Sequence, residues 1–326
     1  MDDFKINFIL GIFLLLTAII YIRLAKSYNI VDNPNFRSSH TVPTIRGGGI
    51  LFYIAVILFF IISNFQYPYF FAGISSIALI SFIDDIKTLS AKVRLPFQFF
   101  AVAMVLLEVG LFQEPFLVIG LLLMFGVAFI NMYNFMDGIN GITGLYSLVL
   151  LSAFYVINNF ENIIEPSFIG YLIISILVFG IFNFRIKARM FAGDIGSITM
   201  AMVVLFLALF FGIHLKAPIF LLMVVVYGVD SGLTILYRVY LKENITQAHR
   251  HHMYQKLVDV FKWSHLKVAI VYAVVQLIIT SIVIFLYEAS LVIQYLVIGI
   301  TIVLLVLSYV LLFLAIEKKK TLVQNN

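Results

Sequence analysis

About eleven long apolar runs interrupt this chain of 326 residues, and their lengths limit what it can fold into. A bilayer core is crossed by a helix of about 20 apolar residues, with about 17 to 25 tolerated. Only 11% of the residues are charged, against about 25% in an average soluble domain. The sequence therefore predicts an all-α, polytopic membrane protein with about 10 to 11 transmembrane helices. The runs lie near residues 6–25, 48–64, 68–83, 97–113, 115–132, 142–158, 166–184, 196–213, 217–238, 267–287 and 291–315.

The first run is expected to be a true span rather than a signal peptide. Asp2 and Asp3 precede it, and no small-residue cleavage site follows it. No internal repeat, low-complexity segment or separate soluble domain is visible, so residues 1–326 are expected to form a single integral membrane domain. The absence of cysteine excludes a disulfide framework and a thiolate metal site.

Basic residues indicate which connections face the cytoplasm, because cytoplasmic loops of membrane proteins are rich in Lys and Arg. If the N-terminus is outside, 19 of the 21 basic residues fall on inside segments, and only Lys5 and Lys216 fall outside. The chain is thus predicted to begin outside and to end in the cytoplasm. The net charge of +5 reflects this topology, since no nucleic-acid-binding motif is present. The inside connections also hold the polar clusters, which places the expected function at the cytoplasmic face.

The first inside loop, "VDNPNFRSSHTVPTIRGGGI", combines Arg37, His40 and Arg46 with three consecutive glycines at residues 47–49. Consecutive glycines let a backbone approach a ligand and present amide donors, which suits a phosphate. Arg46 is therefore a candidate substrate-binding residue. The alternative is a flexible loop with the ordinary positive charge of an inside segment.

An acidic pair, Asp84 and Asp85, ends the third apolar run. Adjacent helical residues point about 100 degrees apart, so the two carboxylates would line one pocket from two directions. Like charges this close raise a pKa unless a cation or metal intervenes. The alternative is a hydrated helix end with Lys87 as a neighbour.

Two further inside segments place carboxylates beside glycines. In "NMYNFMDGINGITG", Asn134 and Asp137 lie on one broad helical face before a glycine-rich bend, a pattern suited to a cation or a phosphate. In "FNFRIKARMFAGDIGS", Asp194 lies between Gly193 and Gly196, which favours backbone held close to a ligand. The alternative for Asp194 is a simple helix N-cap.

The last inside segment, "QAHRHHMYQKL", contains His249, Arg250, His251 and His252. A zinc site is one interpretation, but no HExxH arrangement or cysteine accompanies the histidines. Donors that face an anionic ligand are favoured instead. Together with the aspartates, which are hard ligands of the kind that Mg²⁺ takes, these groups suit transfer of a phosphoryl group between a water-soluble donor and a lipid-soluble acceptor.

The order of these motifs resembles the polyprenyl-phosphate N-acetylhexosamine-1-phosphate transferases, glycosyltransferase family 4, whose members start O-antigen, enterobacterial common antigen and teichoic-acid linkage synthesis. The similar elements are "DNPNFRSSHTVPTIRGGG", "DD", "NMYNFMDGINGITG", "FAGDIGS" and "HRHHMYQ", in family order over residues 32–254. The resemblance implies that undecaprenyl phosphate attacks a UDP-N-acetylhexosamine and releases UMP, with Mg²⁺, or Mn²⁺ in its place, as cofactor. It also implies the bacterial inner membrane with a cytoplasmic active site, and a homodimer is one of the assembly states left open.

The resemblance also implies roles for individual residues. Asp194 resembles the magnesium ligand, with Asp137 as a second ligand or catalytic group, and Asn134 resembles a polar group on the nucleotide or metal side. Asp84 and Asp85 resemble the pair that positions or deprotonates the lipid phosphate, and direct attack by that phosphate is favoured over a covalent intermediate.

The substrate-binding roles come from the same resemblance. Phe191 resembles the aromatic residue that packs on uracil, and the four residues of the histidine segment resemble diphosphate-binding groups. These are His249, Arg250, His251 and His252.

The chain departs from the family pattern at Asn140, where relatives carry a second acidic residue, and at "RIKAR", where many carry proline. "HRHHMYQ" in place of "HHHFE", with the "RSSH" loop, favours the branch that initiates O-antigen or capsule chains. The alternatives are an enzyme of the peptidoglycan translocase type and, in another class, a transporter in which Glu108 and Asp230 mark an ion pathway. The donor stays open among UDP-GlcNAc, UDP-QuiNAc and UDP-FucNAc.

Overall fold

The computed structural model describes residues 3–34, 42–244 and 249–324 as a bundle of α-helices with one very small sheet. The helices in this part of the chain are α1 Asp3–Ser27, α2 Ile50–Ile62, α3 Pro68–Ile86, α4 Ala91–Glu108, α5 Phe116–Phe135, α6 Ile142–Glu161, α7 Pro166–Asn183, α8 Gly193–His214, α9 Val225–Tyr240, α10 Met253–Asp259, α11 His265–Leu286 and α12 Leu291–Gln324. Short 3₁₀ helices span Leu111–Gln113 and Pro218–Val224.

Each of the predicted apolar runs forms a helix, which confirms the all-α, multi-pass membrane fold. Within the described ranges, nine helices are long and apolar enough to cross a bilayer. The other two predicted runs are shorter or more polar. Helix α2 has 13 residues, and α4 carries Lys92, Arg94 and Glu108.

Helix α8 lies at the centre of the bundle and packs against α2, α3, α5 and α6. Most of its residues are buried, whereas α12 lies at the edge with its apolar surface exposed. A peripheral helix that is apolar on all sides is stable only in a lipid environment. The central position of α8 places its first turn, which carries Asp194, in the middle of one end of the bundle.

The segment before α9 starts as a 3₁₀ helix at Pro218 and continues as α9 from Val225. Gln276 of α11 donates from Nε2 to the backbone oxygen of Leu222 at 3.0 Å. A backbone oxygen within a membrane needs such a partner, because lipid offers none. Gln276 therefore stabilises the irregular entry into α9, the helix that carries Asp230 and Arg238.

Candidate active site

Arg46 is placed by a two-strand pairing between β1 Val31–Asp32 and β2 Thr44–Ile45. Ile45 also bridges to Met190, and its oxygen accepts a hydrogen bond from the backbone N–H of Phe191 at 2.7 Å. The end of the first inside loop therefore lies along the segment that leads into α8. Arg37 and His40 of that loop lie outside the described residues.

The glycines of both segments lie against each other. Gly48 N–H donates to the oxygen of Phe191 at 2.8 Å, and Gly49 N–H donates to that of Ala192 at 2.9 Å. These two amides are bonded within the chain, so the prediction that they are presented to a phosphate is wrong. A Cβ on Gly49 would overlap the backbone of Gly196, which explains the repeated glycines as a packing requirement.

Asp85 holds the first turn of α8 from a different helix. Its two oxygens accept hydrogen bonds from the backbone N–H groups of Asp194 at 2.8 Å and Ile195 at 3.1 Å. Arg46 Nε lies 2.6 Å from the same carboxylate, and the Asp85 side chain is completely buried. A carboxylate at the N-terminus of a helix satisfies amides that have no partner within the helix and is stabilised by the helix dipole. Asp85 thus fixes the orientation of α8.

Three aspartates and two arginines form a continuous series of ion pairs, the carboxylate–arginine chain. Asp194 lies between Arg46 Nη2 at 2.9 Å and Arg94 Nη1 at 3.1 Å. The same Arg94 nitrogen lies 2.8 Å from Asp84, which also accepts a hydrogen bond from the backbone of Leu89. The order is Asp85, Arg46, Asp194, Arg94, Asp84. Asp194 is the most exposed of the three carboxylates, with 15% of its side chain accessible against 5% for Asp84.

The loop after α5 brings Asn134 and Asp137 to the same end of the bundle. Asn134 Nδ2 donates to Ser197 Oγ on α8 at 2.9 Å, and Thr143 Oγ1 donates to Asp137 at 2.5 Å. Burial raises the pKa of the Asp137 carboxyl to about 6, the hydrogen bond from Thr143 opposes that shift, and the negative charge of Asp194 reinforces it. The ionisation of the Asp137 carboxyl therefore depends on the charge of Asp194.

Asn183 joins this loop to the segment before α8. Its side chain accepts from Gly141 N–H and donates to the oxygen of Met190, both at 2.8 Å. Asn140 donates to the oxygens of Arg185 at 3.1 Å and Ile186 at 3.2 Å. An amide at this position stabilises the loop, which a carboxylate cannot do by donation.

The histidine segment is held by α9 and α10. His252 Nδ1 lies 3.3 Å from Asp230, His251 Nε2 lies 3.1 Å from Glu243, and Arg250 lies 2.8 Å from Asp259. The His249 ring lies 4.9 Å from that of His252. Burial, reinforced by electrostatic interaction with neighbouring His252 and Arg238, lowers the pKa of His249 to about 4.

A cavity of about 650 Å³ lies between α4, α5, α9 and the histidine segment, and we call it the α4–α5–α9 cavity. Its apolar side chains, Leu95, Phe135 and Ile235, are 44%, 46% and 43% exposed, so they open to the bilayer. Arg94 joins the cavity to the carboxylate–arginine chain. The residues that line it are Ala91, Lys92, Arg94, Leu95, Gln98, Asn131, Phe135, Ser231, Ile235, Arg238, His249, His252 and Gln255.

Comparison with known proteins adds to this geometry. The model of glycosyl transferase family 4 matches residues 67–212, which include both aspartates of the acidic pair, Asn134, Asp137 and Asp194. Over this region, a little under half of the chain, the protein is similar to members of this family. A probable undecaprenyl-phosphate N-acetylglucosaminyl 1-phosphate transferase of Bacillus subtilis is 27% identical over 80% of this chain and 78% of its own length. An undecaprenyl-phosphate alpha-N-acetylglucosaminyl 1-phosphate transferase of Escherichia coli is 29% identical over 62% of this chain and 61% of its own length.

Five of the predicted site residues meet at one end of α8: Arg46, Asp84, Asp85, Asp137 and Asp194. Asn134 adjoins them through Ser197, and the half-buried Phe191 precedes α8. His249 and His252 line the cavity, whereas Arg250 pairs with Asp259 and His251 with Glu243.

Sequence reasoning missed Arg94 and Asn183 as parts of this site. Arg94 is one of the positive inside charges, but its position ten residues after Asp84 and just before the fourth apolar run is a signal. A single asparagine such as Asn183, which bonds backbone atoms, has no recognisable spacing.

Proposed function

We propose that this protein, a phosphoglycosyltransferase, transfers an N-acetylhexosamine 1-phosphate from a UDP-sugar to undecaprenyl phosphate and releases UMP. The names of the two relatives support the lipid acceptor and the type of group transferred. The matched region covers less than two thirds of the Escherichia coli protein, so the activity of that protein is applied here as a proposal.

The observation that carries the proposal is the α4–α5–α9 cavity. It is apolar where it opens to the bilayer, and Arg94, which also lines it, pairs with Asp84 and Asp194 of the carboxylate–arginine chain. A polyprenyl phosphate has the same division into an apolar chain and an anionic head. A cation at the head end and an apolar entry would place the lipid phosphate beside the carboxylate–arginine chain.

The donor is proposed to bind beside Asp194, next to the lipid phosphate. Phe191 would pack on uracil, Arg46 and Asn134 would contact the donor's polar groups, and His249, which lines the cavity, would bind its diphosphate. Arg250, His251 and His252 were predicted to bind its diphosphate. Of these, Arg250 and His251 would have to leave Asp259 and Glu243.

The acceptor phosphate is proposed to attack the donor directly. Asp84 would position the acceptor through Arg94, and Asp85 would hold the start of α8 and Arg46, both through contacts described above. Asp137 would hold the metal side of the site, close to Asp194.

The donor set fits Mg²⁺, or Mn²⁺ in its place. Mg²⁺ takes one or two protein carboxylates when phosphate oxygens complete its coordination. Asp194 is the most exposed aspartate of the carboxylate–arginine chain, and its charge contributes to the raised pKa of Asp137. These two residues would therefore hold the ion. When bound, the metal would neutralise negative charge on the transferred phosphate.

The remaining proposals concern context. Positive inside segments support an active site on the cytoplasmic face of the bacterial inner membrane, and the histidine segment supports initiation of an O-antigen or capsule chain. A homodimer is compatible with the exposed apolar surfaces of α1 and α12.

The test is release of UMP by the purified protein with Mg²⁺ and undecaprenyl phosphate, with UDP-GlcNAc, UDP-QuiNAc and UDP-FucNAc in parallel. Release with one sugar that requires both lipid and metal would establish the reaction and its donor. Absence of release with all three, from protein that remains monodisperse in detergent, would contradict the proposal.

A further inference from the structure

Buried polar atoms without hydrogen-bond partners are concentrated in the residues that line the α4–α5–α9 cavity. Among the residues that the structure describes, seven buried side-chain nitrogen or oxygen atoms have no hydrogen-bond partner. Four of the seven belong to residues that line this cavity: Arg94, Ser231, His252 and Gln255. Buried polar groups are normally bonded, so such a concentration indicates that a ligand completes this wall.

His252 differs from the other three because its second ring nitrogen is held by a buried acid. Asp230, only 2% exposed, accepts from Tyr272 Oη at 2.5 Å, from Met253 N–H at 3.0 Å and from Thr234 Oγ1 at 3.3 Å. A carboxylate with these donors acts as an acceptor, so His252 Nδ1, 3.3 Å from Asp230 Oδ1, carries the proton. In neutral His252, Nε2 therefore has a free lone pair.

We propose that His252, oriented by Asp230, is the base that removes the last proton from the phosphate of the lipid acceptor. This inference rests on the proposed function and concerns the same site. An imidazole between a buried carboxylate and a reacting O–H is an established arrangement for proton transfer, because the carboxylate fixes the tautomer and stabilises the imidazolium. Arg94, which lines the same cavity, would hold the phosphate that His252 deprotonates.

The step balances without a further reactant. The O–H bond of the acceptor's phosphate monoanion breaks, its proton passes to Nε2, and the electron pair stays on the phosphate oxygen. That oxygen forms the new bond to the sugar-bearing phosphorus, the bond from this phosphorus to the bridging oxygen breaks, and UMP leaves. The imidazolium then loses the proton to solvent.

Several charged or titratable groups lie around the His252 ring or line the cavity, and they enter into the pH dependence of the proposed step. The ring of His249 lies 4.9 Å away and that of Tyr254 lies 5.7 Å away. The remaining groups on the packed elements are Asp230 and Arg238 of α9, Lys256 of α10, Tyr272 of α11, and Lys92 and Arg94 of α4.

The decisive experiment compares turnover of the full-length wild type and His252→Gln from pH 6 to pH 9. An alkyl phosphate loses its second proton near pH 6, so its need for a base falls as the pH rises. At the acidic end we expect the variant to be about 100-fold slower, the lower range for general base catalysis. The difference in turnover between the variant and the wild type should decrease steadily towards pH 9. A deficit that is constant with pH, or no deficit, overturns the proposal.

The control is His214→Gln, an exposed histidine at the other end of α8, which should match the wild type at each pH. If His252→Gln does not fold, turnover of His252→Ala is measured with and without added imidazole. Turnover restored by imidazole would support His252 as the base, and turnover that imidazole does not restore would overturn that role. Wild-type protein that releases no UMP would refute the proposed function itself, whereas wild-type release with an unaffected variant refutes only the role of His252.

Discussion

The carboxylate–arginine chain and the wall of the α4–α5–α9 cavity are two polar regions that share Arg94 but differ in completeness. In the first, Asp84, Asp85 and Asp194 each have donors from within the protein. In the second, Ser231, His252 and Gln255 have buried atoms without partners in the described part of the chain. Groups that are already paired fix geometry, whereas unpaired groups are available for a ligand. On the proposal above, the first region positions the reacting groups and the second removes the proton of the acceptor.

The largest expected effect is that of Asp194→Asn, which removes the charge between the two arginines. Turnover should fall roughly 100- to 1000-fold, as when a charge-stabilising group is removed from an active site. UMP release in detergent measures it. Glu114→Gln, an exposed carboxylate before α5, is the control and should leave turnover unchanged. Near-normal activity of Asp194→Asn would contradict the metal assignment.

Lysine substitutions at the two arginines should differ in severity. Arg46 uses two different nitrogens, Nε to Asp85 and Nη2 to Asp194, whereas Arg94 contacts both of its aspartates through Nη1. A lysine has one nitrogen and can replace only the second arrangement. We expect a loss of about 100-fold for Arg46→Lys and about 10-fold for Arg94→Lys, since small misplacements in a site are costly. Equal losses in UMP release would refute this geometric interpretation.

Two glycine substitutions test whether the first region depends on close packing. A Cβ on Gly193, which has φ of +73°, would lie 2.5 Å from Asp85 Oδ2 and 2.6 Å from the nitrogen of Gly47. Gly193→Ala should destabilise the protein by roughly 1–3 kcal/mol. Gly170→Ala in α7 meets no atom within 4 Å and should be neutral or slightly stabilising. Thermal unfolding in detergent compares them, and similar melting temperatures would argue against a tightly packed site.

The smallest effect concerns His249, whose pKa is lowered by burial from 6.5 to about 4. Between these values the unfolded chain binds a proton that the folded chain does not, so this residue lowers stability as the pH falls from 6.5 towards 4. His249→Gln should therefore lose less thermal stability than the wild type on going from pH 7 to pH 5. An identical loss in both proteins would place His249 in a more hydrated environment.

The helices were predictable because the bilayer sets their length and apolar character. Two helices depart from this length and apolar character because of their place in the site. Helix α4 carries charges because its first turn contributes Arg94 to the site, and α2 is short because it begins at the glycine contact with α8. The irregular start of α9 was not predictable, since its stabilising partner, Gln276, lies 54 residues away from Leu222.

The acidic site residues were also predictable, because carboxylates beside apolar runs are costly without a purpose. Their roles were harder to assign. Glycines that pack against a backbone and glycines that bind a phosphate give the same sequence pattern, and Gly48 and Gly49 proved to pack. Asp84 and Asp85 are adjacent in sequence, yet one faces Arg94 and the other caps α8. Only the tertiary arrangement separates them.

The cap that Asp85 provides for α8 has a consequence for biosynthesis. The two residues of the Asp194–Asp85 hydrogen bond are 109 positions apart. At translation rates of about 5–20 residues per second, roughly 5–20 s would pass between the synthesis of Asp85 and that of Asp194. During this interval Arg46, already synthesised, can pair with Asp85 and keep the acid from entering lipid as an uncompensated charge. The ion pair that organises the finished protein would also protect its incomplete precursor at the translocon.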